Sequence, residues 1–175
     1  MNVAPALQYA HSLIKDVVDF PKPGIIFKDI TPVLLDEKAF ASVLADFSEH
    51  LNGANKVAGI ESRGFIFAAA LAAKNDLGLV LMRKPGKLPR DTHSVSYDLE
   101  YGSDSLHIHH DSIGQNDSVF VVDDVLATGG TMWAATELVK KTGAQLANCA
   151  VFLEIDFLKG REKLNQIPLY SSIVV

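Results

Sequence analysis

The densest chemistry in this 175-residue chain lies in the run Val119-Phe120-Val121-Val122-Asp123-Asp124-Val125-Leu126-Ala127-Thr128-Gly129-Gly130-Thr131. An apolar strand ends in two carboxylates, and a loop of small residues then opens a helix expected over 132–141. The first turn of a helix leaves backbone N–H groups unpaired and carries the positive end of its dipole. Ala127, Thr128, Gly129, Gly130 and Thr131 therefore form a candidate phosphate cradle. The glycines let backbone approach an anion closely, and Thr128 and Thr131 add hydroxyl donors. Asp123 and Asp124 at the rim suit sugar hydroxyls or a metal ion. Neither a Walker loop nor a Gly-x-Gly-x-x-Gly fingerprint occurs in the run. An ordinary strand–turn–helix with a glycine cap would use some of the same residues, but it needs neither the acid pair nor the flanking threonines.

Three further places carry charge in a pattern. Arg83, Lys84, Lys87 and Arg90 put four of the sixteen basic residues into eight positions. That local positive field suits a polyanion, with arginine able to fork onto two oxygens; the alternative is a solvated charged loop. Glu61-Ser62-Arg63-Gly64 is a polar turn between an apolar strand and an apolar helix, where Ser62 and Arg63 could face a second anion. His107 and His109 share one face of a strand at period two. No third ligand accompanies them, so a metal pair there is the weaker reading beside a partly exposed strand face.

The elements that must position these groups alternate. Apolar residues at helical spacing predict a helix over 6–18, which the proline–glycine turn at 20–24 ends. A short β-prone segment is expected over 25–30 and a helix over 37–51. Strands are expected over 56–60, 79–82, 105–110, 118–122, 148–153 and 171–175. A buried alanine-rich helix fits 65–74, and residues 83–96 read as the longest irregular stretch. Near-continuous Val, Ile and Leu in strands that alternate with helices argue for an α/β fold with a mainly parallel sheet covered on both faces. In such sheets ligands sit at the carboxyl ends of the strands.

Composition bounds the rest. A single domain spanning 1–175 is expected from length. A net charge of −5 favours neither nucleic acid nor an anionic membrane as partner. One cysteine, Cys149, allows no intrachain disulfide and no multi-thiolate zinc site. The longest apolar run, 65–73, is far short of the roughly 20 residues a membrane helix needs. The first fifteen residues lack a signal-peptide pattern, so a cytoplasmic protein is the expectation.

The run 119–131 resembles the 5-phosphoribosyl 1-pyrophosphate (PRPP) motif of the type I phosphoribosyltransferases. Phe20-Pro21-Lys22-Pro23-Gly24-Ile25-Ile26-Phe27-Lys28-Asp29-Ile30-Thr31-Pro32 is similar to the base-binding start of the adenine-specific branch. Gly59-Ile60-Glu61-Ser62-Arg63-Gly64-Phe65 is similar to its pyrophosphate loop. Arg83-Lys84-Pro85-Gly86-Lys87-Leu88-Pro89 with Tyr97-Asp98-Leu99-Glu100-Tyr101-Gly102 resembles its mobile hood. Order and spacing match over nearly the whole chain.

The resemblance implies the type I phosphoribosyltransferase fold, with a central twisted sheet, hood elements at about 20–32 and 83–110, and a mobile loop. It implies the reaction of adenine with PRPP to give AMP and pyrophosphate, through an oxocarbenium-like transition state. Magnesium would be bound mainly through substrate oxygens, and the assembly would be a homodimer. Glu100 becomes the candidate acid–base group, with Asp123 and Asp124 on the ribose. Arg83, Lys84 and Lys87 would meet pyrophosphate, although Arg83 could instead reach a neighbouring subunit. Phe27 and Val125 would sandwich the base, Ile26 and Lys28 would offer backbone groups to its edge, and Tyr101 would position or shield the site. A non-proline cis peptide is implied at Glu61–Ser62. Rival readings are a sister enzyme for another 6-substituted purine, a nucleotide-sensing regulator and a structural domain. The regulator would need a DNA-binding module, for which the roughly twenty residues before the first motif are too few.

Overall fold

A computed structural model describes residues 5–98 and 102–175. The chain divides into two compact units, one ending at Asp46 and the other spanning Phe47–Val175.

In the first unit a short helix, α1 (Pro5–Ser12), precedes a hairpin of β1 (Lys15–Val18) and β2 (Ile26–Asp29). The helix expected over 6–18 is thus only half realised. Leu7 and Ala10 are buried on α1, but Val17 and Val18 lie exposed on a strand. Two β-branched residues next to a proline–glycine turn favour pairing over another helical turn. The turn closes through Gly24 N–H, which donates to Asp19 Oδ1 at 2.7 Å, with Gly24 at φ +86°. Lys28 Nζ meets Asp16 across the strands at 2.7 Å, and the Phe20–Pro21 bond is cis. A one-turn helix, α2 (Thr31–Leu35), leads to α3 (Glu37–Ser48). Asp36 caps α3, its Oδ1 accepting from the N–H groups of Lys38 and Ala39. The Ala39 N–H, together with the Tyr9 hydroxyl, holds the Asp36 carboxyl below the usual carboxylate range.

The second unit is built on β3 (Lys56–Ile60), β4 (Gly78–Met82), β7 (Ser118–Leu126), β8 (Gln145–Glu154) and β9 (Leu169–Val174). They form a five-stranded sheet in the order β4-β3-β7-β8-β9, and every pairing is parallel. Helix α4 (Gly64–Lys74) crosses from β3 to β4, and α5 (Gly130–Lys141) crosses from β7 to β8. A 3-10 turn (Asp156–Leu158) and α6 (Gly160–Leu164) join β8 to β9.

The sheet's two faces bury different side chains. Ala58, Ile60, Val119 and Val121 pack with Met132, Ala135, Leu138 and Val139 of α5. The opposite face meets α4, where Gly59 lies so close to Ala68 that a Cβ would be 2.6 Å from it. The aromatic rings of Phe47, Phe67 and Phe152 also pack in a row there.

Between β4 and β7 an antiparallel hairpin, β5 (Thr92–Asp98) and β6 (Ser103–His109), joins the α5 side of the core. The irregular stretch expected over 83–96 therefore ends at residue 91. Val95 packs on the core and Tyr97 is buried, at period two, but serines and histidines between them dilute the apolar signal of the strand. Strand β7 also runs four residues past its expected end, so both aspartates lie within it.

Candidate active site

Strands β3 and β7 are neighbours, yet the chain leaves β3 toward β4 on one side and β7 toward β8 on the other. This reversal of winding is a topological switch point, where the loops leaving the carboxyl ends part and open a crevice. The register Gly59 with Val122 sets residues 61–64 level with Asp123 and Asp124.

Consecutive strand residues leave opposite faces of a sheet, so the two acids have different neighbours. Asp124, 4% exposed, projects to the α4 side, where Arg63 Nε lies 2.7 Å from its Oδ2. Asp123 accepts the Asp124 N–H on Oδ1 at 2.9 Å. Burial, and then the adjacent Asp124 charge, push the Asp123 carboxyl well above its usual range. Burial raises Asp124 as well, but the Arg63 guanidinium opposes it. Gly64 opens α4 against this pair, and a Cβ there would lie 2.8 Å from Asp123 Oδ1 and 2.9 Å from Val122 O. The Glu61–Ser62 bond is cis, as the resemblance implies.

The loop after β7 meets the start of α5. Gly129 is the N-cap, at φ +81°, and no side chain caps the helix there. The first-turn N–H groups of Gly130, Thr131 and Met132 thus stay open to an anion. Ala127 and Thr131 are half-buried and Thr128 is exposed. The loop rests on Gly160 at the head of α6. A Cβ on Gly160 would lie 2.3 Å from Ala127 O, and one on Gly129 would lie 2.3 Å from Gly160 O. These two backbones touch only because both residues are glycine. Nothing in the spacing of Gly160, 29 residues beyond Thr131, marks it as part of this loop; only its being a glycine next to a short helix is a hint.

The basic segment after β4 is held by acids. Arg83 Nε and Nη2 lie 3.2 and 3.3 Å from the Glu61 carboxylate, and the Lys84 N–H donates to the same group at 2.9 Å. Burial would raise the Glu61 carboxyl, but the Lys84 N–H and Arg83 together keep it low. Arg83 Nη1 also donates to Lys87 O at 3.1 Å. Lys84 Nζ donates to Asp104 Oδ2 at 2.5 Å and to the Tyr97 hydroxyl at 2.6 Å. Spacing alone does not single out Glu61, Tyr97 and Asp104 as the partners of this segment, since they come from 13 to 23 residues away along the chain.

The remaining expected site residues are spread out. Ile26, Phe27 and Lys28 lie on β2 of the first unit. Lys28 commits its ammonium to Asp16, and the Phe27 ring meets Phe20 edge-on at 5.2 Å. Val125 is half-buried on β7. Glu100 and Tyr101 lie outside the described residues. His107 sets its two ring nitrogens 3.2 Å from Thr92 Oγ1 and 3.0 Å from Ser105 Oγ.

A parallel sheet with an acid pair and a glycine loop at its switch point is the architecture of a phosphoribosyl transferase domain, and that family matches residues 33–168. The chain belongs to the adenine phosphoribosyltransferase family. It is 49% identical to the adenine phosphoribosyltransferase of Geobacter metallireducens, over 91% of this chain and 95% of that one. The crystal structure of adenine phosphoribosyltransferase from Thermoanaerobacter pseudethanolicus superposes with a TM-score of 0.92 at 44% identity, covering 97% of this chain and 99% of that one. APRTase from Giardia lamblia, complexed with 9-deazaadenine, gives a TM-score of 0.92 at 39% identity, over 98% and 99% of the two chains.

Proposed function

We propose that this chain transfers the 5-phosphoribosyl group of PRPP to adenine, releasing AMP and pyrophosphate. The observation that carries the reading is the switch point between β3 and β7, where Arg63 meets Asp124 and the strand leads into the uncapped start of α5. Residues 127–131 would cradle the 5′-phosphate. Asp123 and Asp124 would accept the ribose hydroxyls, and an adjacent negative charge stabilises a sugar carbon that turns cationic. Ser62, Arg63, Arg83, Lys84 and Lys87 would meet the diphosphate.

An adenine nitrogen forms the new bond to the anomeric carbon as the bond to diphosphate breaks. Adenine gives up the proton of that nitrogen, and Glu100 is the group proposed to take it. Ile26 and Lys28 would offer backbone groups to adenine, with Phe27, Val125 and Tyr101 shielding it.

Among the described residues no three His, Cys, Asp or Glu side chains converge on a cation position. The acids at the switch point, one of them tied to Arg63, suit a magnesium ion that brings most of its oxygens from PRPP and water. Bound there, magnesium would neutralise diphosphate oxygens.

A homodimer is proposed from the resemblance, and the apolar side chains of Ile66, Leu79 and Leu81 exposed on α4 and the edge strand β4 support it. A cytoplasmic location is proposed likewise. No helix among the described residues is long and apolar enough to cross a membrane.

The test is to supply PRPP and magnesium with adenine, hypoxanthine, guanine or xanthine, and to measure nucleotide formed and pyrophosphate released. AMP from adenine alone is expected. Turnover of another base would keep the phosphate site and overturn the base assignment. PRPP binding without turnover would overturn the enzyme reading.

A further inference from the structure

Three of the four cations in residues 83–90 are each matched by one carboxylate from elsewhere in the fold. Arg83 has Glu61 from the loop after β3, Lys84 has Asp104 from β6, and Arg90 has Asp111 from beyond β6. Each pair joins residues about twenty positions apart, so the neutralisation exists only in the folded chain.

The Lys84 site is the most built of the three. Its backbone N–H is fixed by Glu61, and Arg83 is bridged to His107 of β6 by two backbone hydrogen bonds of 2.8 Å. Its ammonium rests on Tyr97, which is 3% exposed, and on Asp104. Two of the three ammonium protons are taken, and one is left for a ligand. The hydroxyl of Tyr97 already supplies a fixed anchor, so positioning alone does not call for a full negative charge at residue 104. Burial disfavours that charge, but Lys84, the Ser105 N–H and the Tyr97 hydroxyl together outweigh it and hold the Asp104 carboxyl below its usual range.

We propose that Asp104 is a resident counter-anion, a specificity-determining residue that sets how strongly the basic segment holds diphosphate and favours it over smaller anions of lower charge such as orthophosphate. The proposal rests on the reading that Lys84 meets the diphosphate. A small anion gains little by displacing a carboxylate already in place. Diphosphate brings several charges and can draw on Lys84 and Arg83 together. On release of product, Asp104 takes the ammonium back.

The experiment is calorimetric titration of pyrophosphate, and separately of orthophosphate, at fixed magnesium into wild type, Asp104→Asn, Asp111→Asn and Lys84→Gln. Asp104→Asn is expected to tighten pyrophosphate about 3- to 10-fold. It should tighten orthophosphate by a larger factor, so that discrimination between the two narrows. Lys84→Gln should weaken both. Asp104→Ser, which also removes the charge, decides the matter if Asp104→Asn fails to fold. Asp111→Asn, facing Arg90 at an exposed pair, should leave both affinities unchanged, and a shift as large as that of Asp104→Asn would overturn the proposal. Unchanged or weaker pyrophosphate binding in Asp104→Asn would overturn the proposal and make Asp104 a positioning residue for Lys84. Unchanged affinity in Lys84→Gln would instead remove Lys84 from the diphosphate site, and the proposal with it.

Discussion

Adjacent carboxylates on β7 should respond to neutralisation by different amounts, because Arg63 faces only one of them. Asp123 is raised by burial and by Asp124, so its charge is a cost to the ligand-free fold. A carboxyl whose folded pKa lies above its unfolded value holds its proton more tightly when folded. The stability it contributes is complete below the unfolded value near 3.8 and is lost as pH climbs through the folded value. Asp123→Asn keeps an oxygen for the Asp124 N–H and removes the charge. It should raise the melting temperature at pH 7 by about 2–5 °C, with the gain vanishing toward pH 4, while kcat/KM falls at least about 100-fold. Asp124→Asn removes the charge that faces Arg63 Nε, which offsets part of what burial costs Asp124, and should therefore shift the melting temperature by less than Asp123→Asn does. Melting curves and steady-state kinetics across pH for both variants check this. Equal effects from the two would contradict the account. At this scale the acid pair and the glycine loop that opens α5 could be read from the sequence, because they follow one strand without interruption. Asp104 and Glu61 could not, because their roles come from side chains brought together over some twenty residues.

Elements were readable where burial on both faces makes a strand continuously apolar. Residues 56–60 form the strand expected there, and β4, β7 and β8 start or end within a few residues of expectation. Readability failed where a pattern fits two periods. Leu7, Ala10, Ile14, Val17 and Val18 suit a helix by spacing, but the pairing of Val18 with Ile26 overrides it. It failed again at β5, where a half-buried hairpin keeps only Val95 and Tyr97 as apolar markers. Short α6 was not expected, and it is the element on which the loop at 127–129 leans. Gly160→Ala should push Ala127 O by a few tenths of an ångström or more, since a Cβ would otherwise sit 2.3 Å away. Because small misplacements at a reacting centre carry large kinetic costs, the KM for PRPP should rise about 5- to 20-fold. Adenine KM should change less than about 2-fold. Equal changes in both constants would mean a general loss of structure rather than a tilted loop.

For the molecule as a whole, the order β4-β3-β7-β8-β9 does what no single motif does. It brings the loop after β3 beside the carboxyl end of β7, so that Arg63 meets Asp124 from some 60 residues away. The central claim is that this switch point holds PRPP by its two ends, the 5′-phosphate at residues 127–131 and the diphosphate at residues 61–64 and 83–87. Phosphorus NMR reads the two ends separately. With PRPP and magnesium bound, Gly129→Ala should abolish the shift of the 5′-phosphate resonance and leave the diphosphate resonances responsive, and Lys84→Gln should do the reverse. If Gly129→Ala instead perturbs the diphosphate while the 5′-phosphate shifts as in wild type, the claim is wrong.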